Sequence, residues 1–346
     1  MGTPLSPSAR GGGQDRKKVH ESELRPCRGT GDLRQGGAMD GGDSMAQALG
    51  SEIPGTAPMS QTLAGQSWPA SPTPSPMETK SAVLERRDAA GLDDVRNYWN
   101  ARPCNIRHSV AEVGSEEYFN QVEARKYMVE PHIPGFAEFD KWKGKKVLEV
   151  GCGLGTDATN FARAGADYTG VELSQSSMEL AKKRFEVFGL KGRFFLGNGE
   201  ELSRVIPEGE TFDLIYSFGV IHHTPDPAQV IREIRKLMHP GSELRVMLYA
   251  KTSWKHIMIE AGFDQPEAQY GCPIAYTYTH DEVRDLFEGL DVFSIEQDHI
   301  FPYVVEKYVK YEYEKLPWIE AMPADVFRVM EQKLGWHTLI KARLKA

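Results

Sequence analysis

Residues 147–157 read V-L-E-V-G-C-G-L-G-T-D, and this stretch decides the fold. The apolar run Lys146–Val150 predicts a strand. Gly151, Gly153 and Gly155 then make a turn without side chains. A ligand can lie there against the backbone and the N-terminus of a helix expected near residues 156–164. A second strand, Asp167–Val171, follows, and Glu172 ends it 21 residues after Gly151. A carboxylate at that place can accept both hydroxyls of a ribose.

Outward from the loop, strands and helices alternate. A helix carries Met178, Ala181, Phe185 and Phe188 at three-to-four spacing, with a Ser176-x-x-Glu179 box at its start and Gly189 at its end. Strands are expected at Arg193–Leu196, Phe212–Phe218 and Leu244–Leu248. Between the last two lies a helix capped by Asp226, with Pro227 at its first position. Another helix opens with a Thr279-x-x-Glu282 box, and Val292–Gln297 and Gly335–Arg343 read as final strands. Residues 301–318 hold Phe301, Tyr303, Tyr308, Tyr311, Tyr313 and Trp318, expected on a helix inserted between those strands as packing or as an aromatic lid. The pattern predicts an α/β fold: a doubly wound, Rossmann-like sheet of seven strands, with inserted helices at about 300–334.

Before the sheet, residues 91–140 read as a helical cap rich in aromatic and charged residues. Residues 1–80 differ in kind: 31 are Gly, Pro or Ser, and Trp68 is their one aromatic residue. Such a segment buries too little apolar surface to offset its ordering entropy, so a disordered tail is expected. It lacks the apolar core of a secretory signal, and Asp15, Glu21, Glu23 and Asp32 do not suit a transit peptide. An intracellular, cytoplasmic protein is expected, with organelle targeting by the tail left open. The net charge of −8 and pI near 5.8 argue against a nucleic-acid partner, which needs a basic face. No apolar run reaches the ~18 residues of a membrane span. Cys27, Cys104, Cys152 and Cys272 are scattered without metal-like spacing, so reduced thiols and no metal site are expected.

The loop and its acid fit two cofactor classes, since Gly153-x-Gly155-x-x-Ala158 also satisfies a loose dinucleotide fingerprint. Three further features favour the other class. Glu149 stands two residues before Gly151, completing E-x-G-x-G-x-G; residues 212–223 read F-D-L-I-Y-S-F-G-V-I-H-H; and residues 237–241 read L-M-H-P-G. Together these segments resemble the class I S-adenosylmethionine (SAM)-dependent methyltransferases, in the type 11, ubiquinone/menaquinone methyltransferase-like branch. The resemblance is close over about residues 145–250. E-Y-F at 117–119 and E-A-R-K-Y at 123–127 are similar to the N-terminal cap of such enzymes.

The resemblance implies a SAM site residue by residue. Glu149 and the backbone at Gly151 and Gly153 would face the amino-acid end of SAM, Glu172 would hold the ribose, and Leu173 would sit beside the adenine. The usual G-D-A-E after the third strand is here Gly197, Asn198, Gly199 and Glu200. Asn198 thus replaces an aspartate that accepts from the adenine amino group; an ordinary turn residue is the other reading. Ser217 would approach the methionine part. Ser242 replaces a glycine of the usual P-G-G turn, with little functional weight.

Methyl transfer is an in-line displacement for which a protein supplies mainly positioning and exclusion of water. A base is needed only when the acceptor carries a proton. His222 and His223 follow the fourth strand, at the edge where open α/β sheets bind ligands, so one of them is a candidate general base. A framework role, hydrogen-bonded within the loop, is the competing reading. Arg107, Arg125 and Tyr127 are candidates for holding a carboxylate-bearing small-molecule acceptor, against solvated or internally paired side chains. The acceptor atom and oligomeric state stay open. A protein acceptor, and a non-catalytic SAM- or dinucleotide-binding protein, are the alternatives. A nucleic-acid amino-methylating enzyme would carry an N-P-P-Y-like turn where this chain has S-F-G-V at 217–220.

Overall fold

The structure, a computed structural model, describes residues 90–261 and 271–345. The tail expected at residues 1–80 lies outside the described residues. Three helices precede the sheet: α1 (Leu92–Ala101), α2 (Glu116–Val129) and α3 (Ile133–Ala137). The strands are β1 (Lys146–Val150), β2 (Asp167–Glu172), β3 (Arg193–Leu196), β4 (Phe212–Phe218), β5 (Met238–Ala250), β6 (Thr277–Tyr278), β7 (Leu290–Asp298) and β8 (His337–Leu344). Between them run α4 (Thr156–Arg163), α5 (Gln175–Val187), α6 (Leu202–Val205), α7 (Pro227–Lys236), α8 (Trp254–Glu260) and α9 (His280–Leu286). Helices α10 (Val305–Tyr308), α11 (Pro317–Glu320) and α12 (Ala324–Leu334) lie between β7 and β8.

The sheet runs β3-β2-β1-β4-β5-β8-β7, with the short β6 added beside β5, which makes eight strands rather than seven. Strands β1 to β5 pair in parallel, whereas β8 is antiparallel to both β5 and β7. Alternation along each strand feeds two cores. Leu148, Val150, Ile215 and Val246 join Val230, Ile231 and Ile234 of α7 and Val283 and Phe287 in one cluster. Val147, Leu214 and Tyr216 join Phe161, Trp142 and Phe185 in the other. Cutting one such buried leucine to alanine costs about 2–5 kcal/mol, so either face holds a large share of the stability.

Several local expectations need correction. The cap of α5 is Ser174, which accepts from the Ser177 amide, and not Ser176, whose hydroxyl donates to the Asn100 carbonyl. The helix starts early because the Glu172 carboxylate accepts from the Ser174 amide and turns the chain there. Asp226 and Thr279 cap their helices as expected. Strand β5 begins at Met238 rather than Leu244, because Ser242 is more than a turn residue. Its buried hydroxyl accepts from the His239 amide and donates to the Phe212 carbonyl, tying β5 to the start of β4. Residues 301–318 do not form one helix; only the single turns α10 and α11 occur, since Pro302 and Pro317 interrupt the segment.

The cap is fastened by charge. Arg184 of α5 is fully buried and donates to Glu123 and the Phe119 carbonyl of α2 and to Thr156 of α4. Likewise Arg245 of β5 is fully buried and reaches Glu243, Glu138 and the Phe136 carbonyl.

Candidate functional site

Gly151, Gly153 and Gly155 all have left-handed backbone, with φ of 79°, 52° and 73°. That backbone disfavours a side chain at all three, and the space around each differs. A Cβ on Gly151 would come within 2.3 Å of Val220, and one on Gly155 within 3.3 Å of the Ala181 backbone. A Cβ on Gly153 would meet nothing within 4 Å. That glycine borders open space, where a ligand approaching the backbone would lie.

Glu172 is buried at the end of β2 and binds the loop directly. One carboxylate oxygen accepts from the Gly153 amide at 2.8 Å and the other from the Ser174 amide at 2.9 Å. Burial raises its pKa, and these amide donors pull it back. Glu149, next to last in β1, accepts from the Tyr168 hydroxyl at 2.7 Å; burial, then the charge of Asp157, pushes it well above the usual carboxylate range. Asp157, in the first turn of α4, accepts from Lys126 at 2.8 Å, Tyr127 at 3.0 Å and Tyr216 at 3.1 Å. Three carboxylates therefore gather about the loop and the start of α4, with Lys126 paired to one of them. Sequence reasoning overlooked Asp157 and Lys126. The T-D after the glycines was visible, but nothing local marked a lysine from α2 as its partner.

The remaining expected cofactor residues stand close by in the fold. The Ser217 hydroxyl donates to the Val150 carbonyl at 3.0 Å, joining the ends of β4 and β1. The Asn198 side chain accepts from the Glu200 amide at 3.0 Å and so caps the turn that Gly199 begins. Leu173 packs with Trp99, Val95 and Ile274, which brings α1 over the end of β2.

His222 and His223 are both buried. His223 Nδ1 lies 2.7 Å from the Ile274 carbonyl, and burial lowers its pKa to about 4, that hydrogen bond opposing the shift. His222 lies tilted by 40° against Tyr249 with ring centroids 3.7 Å apart, and neither of its ring nitrogens has a hydrogen-bond partner among the described residues. Burial, then His223, drives its pKa well below the usual value. Both imidazoles are neutral at physiological pH and weaker bases than free histidine.

The three candidate acceptor residues diverge. Arg107 is exposed, and its carbonyl accepts from the Tyr311 hydroxyl at 2.6 Å. Tyr127 is spent on Asp157 and Asn160. Arg125 is buried, donates to the Tyr308 carbonyl at 2.7 Å, and lies 4.2 Å from the centroids of both Tyr308 and Tyr311. It clamps the β7–β8 insertion onto α2.

A second group forms at the same sheet edge, where β4 and β5 end and the antiparallel β8 begins. His132 Nε2 and His337 Nδ1 share a hydrogen bond at 3.0 Å, and His337 Nε2 lies 3.7 Å from a Glu130 oxygen. The His299 ring stacks on His337 at 4.5 Å, and Phe218 stands 5.5 Å from His337. Burial pushes Glu130 up to about 7, against the charges of Lys126 and Lys255. No single segment of sequence showed this group.

Comparison with known proteins adds the family. The family model "Methyltransferase domain" matches residues 148–244, the segment from β1 to β5 that holds the glycine loop, Glu172 and Ser217. The chain carries a class I SAM-dependent methyltransferase domain. The chain is 34% identical over 101 residues to a ubiquinone biosynthesis O-methyltransferase of Aliivibrio fischeri (strain MJ11), covering 29% of this chain and 42% of that protein. It is 31% identical over 121 residues to the protein of the same name from Actinobacillus pleuropneumoniae serotype 5b (strain L20), covering 34% and 52%. The chain thus spans about half the length of the curated relatives it matches. The solved magnesium protoporphyrin IX methyltransferase (ChlM) from Synechocystis PCC 6803 with bound SAM is similar at a TM-score of 0.46 and 15% identity, over 75% of this chain and 100% of that one. No helix among the described residues is long and apolar enough to cross a membrane.

Proposed function

We propose that the chain is a SAM-dependent methyltransferase acting on a small acceptor with an apolar, aromatic body and a hydroxyl oxygen to be methylated. The observation that carries the cofactor is the set of Glu149, Asp157 and Glu172 around the glycine loop. The sulfonium and ammonium of SAM are cations, and their approach offsets the cost of holding buried carboxylates ionised. A dinucleotide pyrophosphate at the start of α4 would instead face Asp157. Glu172 keeps lone pairs for ribose hydroxyls beyond the two amides it accepts from. Gly153 leaves room for the methionine portion.

The acceptor reading rests on the rings at the ends of β4, β5 and β8: Phe218, Tyr249, Trp336 and His222, near the Ser217 side of the loop. An O-acceptor accords with the names of the relatives. Titration calorimetry should detect SAM and not NAD. Radiolabelled SAM offered with a panel of small hydroxylated, amino and thioether acceptors should label a hydroxylated aromatic compound. NAD binding without SAM would overturn the cofactor, and label only on protein would favour the protein acceptor.

A further inference from the structure

Glu130, His299 and His337 each offer a ligand-type atom, and these atoms all lie within 4.8 Å of one another. Bonds of ~2.0–2.1 Å at tetrahedral angles set ligand atoms about 3.4 Å apart, so the widest pair must close by up to about 1.4 Å. The 3.7 Å between His337 Nε2 and Glu130 is already near that spacing. We propose that these three residues bind a divalent transition-metal ion, such as Zn²⁺, with its open positions directed to the acceptor.

Four features support the assignment. Two imidazoles and one carboxylate are a donor set for borderline ions rather than for Mg²⁺ or Ca²⁺. The His337 Nδ1 is held by His132, which leaves Nε2 to point at Glu130, as an outer hydrogen bond orients a metal-bound histidine. His299 is held in left-handed backbone, φ 76°, a conformation costing a non-glycine residue about 1–2 kcal/mol, and it is the residue directly after β7. Finally, three separate elements deliver the ligands: the residue just after α2, the exit of β7 and the first residue of β8.

The site deepens the reading of an O-methyltransferase and rests on it for its role. Coordination of the acceptor hydroxyl lowers its pKa, so it gives its proton to water near neutral pH. The oxyanion's electron pair then forms the new O–CH₃ bond, while the S–CH₃ bond breaks and its pair returns to sulfur. This supplies the activation that the weakly basic His222 and His223 supply poorly.

The test uses the full chain, freed of metal by a chelator and titrated with Co²⁺ alone. One ion should bind per chain, with visible absorption bands of a low-coordinate Co²⁺. Glu130→Gln and His337→Gln should each weaken binding by 100-fold or more. His132→Ala, which removes only the outer hydrogen bond, should weaken it by roughly 10–100-fold. Calorimetric SAM binding, read on every variant, reports folding and the cofactor site independently. Absent Co²⁺ binding in a chain that binds SAM, or binding indifferent to both Glu130→Gln and His337→Gln, overturns the metal site and leaves the methyltransferase reading standing. Co²⁺ binding in a chain that ignores SAM overturns that reading and keeps the site.

Discussion

The Gly153 amide donates to the Glu172 carboxylate across 2.8 Å, so the residue expected to hold a ribose also shapes the loop that holds the rest of the cofactor. Glu172→Ala removes this acceptor and the one for Ser174 together. SAM affinity should fall roughly 10-fold or more, at ~1.5–3 kcal/mol for each charge-assisted bond lost. The melting temperature should fall as well, because two buried amides lose their partner. Calorimetry and thermal melts read the two effects separately; unchanged SAM affinity would sink the assignment.

The loop glycines should respond unequally. Gly151→Ala meets Val220 as well as an unfavourable φ, and is expected to destabilise the whole domain. Gly153→Ala meets only the backbone cost of ~1–2 kcal/mol and should remain folded. Its methyl group would occupy the open side of the loop, so SAM binding should fall sharply in a folded protein. Equal thermal stability of the two variants would contradict this.

For the histidines the pH profile decides. If His223 is a base, the acidic limb of kcat should lie near its pKa of about 4 and not near the ~6.5 of free histidine. Replacing a true base by alanine should lower kcat by roughly 10²–10⁴-fold. Near-normal kcat in both His222→Ala and His223→Ala would assign the pair to the framework.

His222 also bears on acid stability. Its folded pKa lies well below the unfolded one, so the unfolded chain takes up a proton first as pH falls. The resulting loss begins below pH ~6.5 and is absent above it. His222→Phe keeps the ring contact with Tyr249 without buried unpartnered nitrogens. It should therefore gain stability over the parent by about 1 kcal/mol more at pH 5.5 than at pH 8, in urea melts at the two pH values. No difference between the two would mean the imidazole is not neutral in the fold.

Arg184 predicts how firmly the cap is attached. Arg184→Ala leaves Glu123, Thr156 and the Phe119 carbonyl without their common donor. Glu123 keeps Arg163 as a partner, so the loss is mainly that of the hydrogen bonds to Thr156 and the Phe119 carbonyl, about 1–3 kcal/mol. Hydrogen exchange should show α2 opening before the sheet does; uniform protection would argue against this anchor.

The parts of the fold set by local chemistry were legible. Strand β1, the glycine turn, Glu172 at the end of β2 and the caps at Asp226 and Thr279 each follow from neighbours a few residues away. Misread features had remote causes. Ser174 rather than Ser176 caps α5 because Glu172 claims its amide, and β5 starts early because Ser242 reaches back to β4. Arg107, Arg125 and Tyr127 looked alike in sequence, yet the fold sends one to the surface, one to an aromatic clamp and one to Asp157. Glu130, His299 and His337 could not be grouped at all before β8 was known to run against β5.

The Trp336 amide donates to the His299 carbonyl at 2.8 Å, which draws the long excursion between β7 and β8 shut at its neck. Both ends of that excursion therefore belong to the sheet edge, where Arg328 also holds the Asp298 carboxylate. Such a closed neck behaves like a socket: residues 303–322 could be exchanged for a loop of another length while Arg328 still holds Asp298 and His299 and His337 keep their spacing. Acceptor preference and the chemistry at the sheet edge could then change independently of one another.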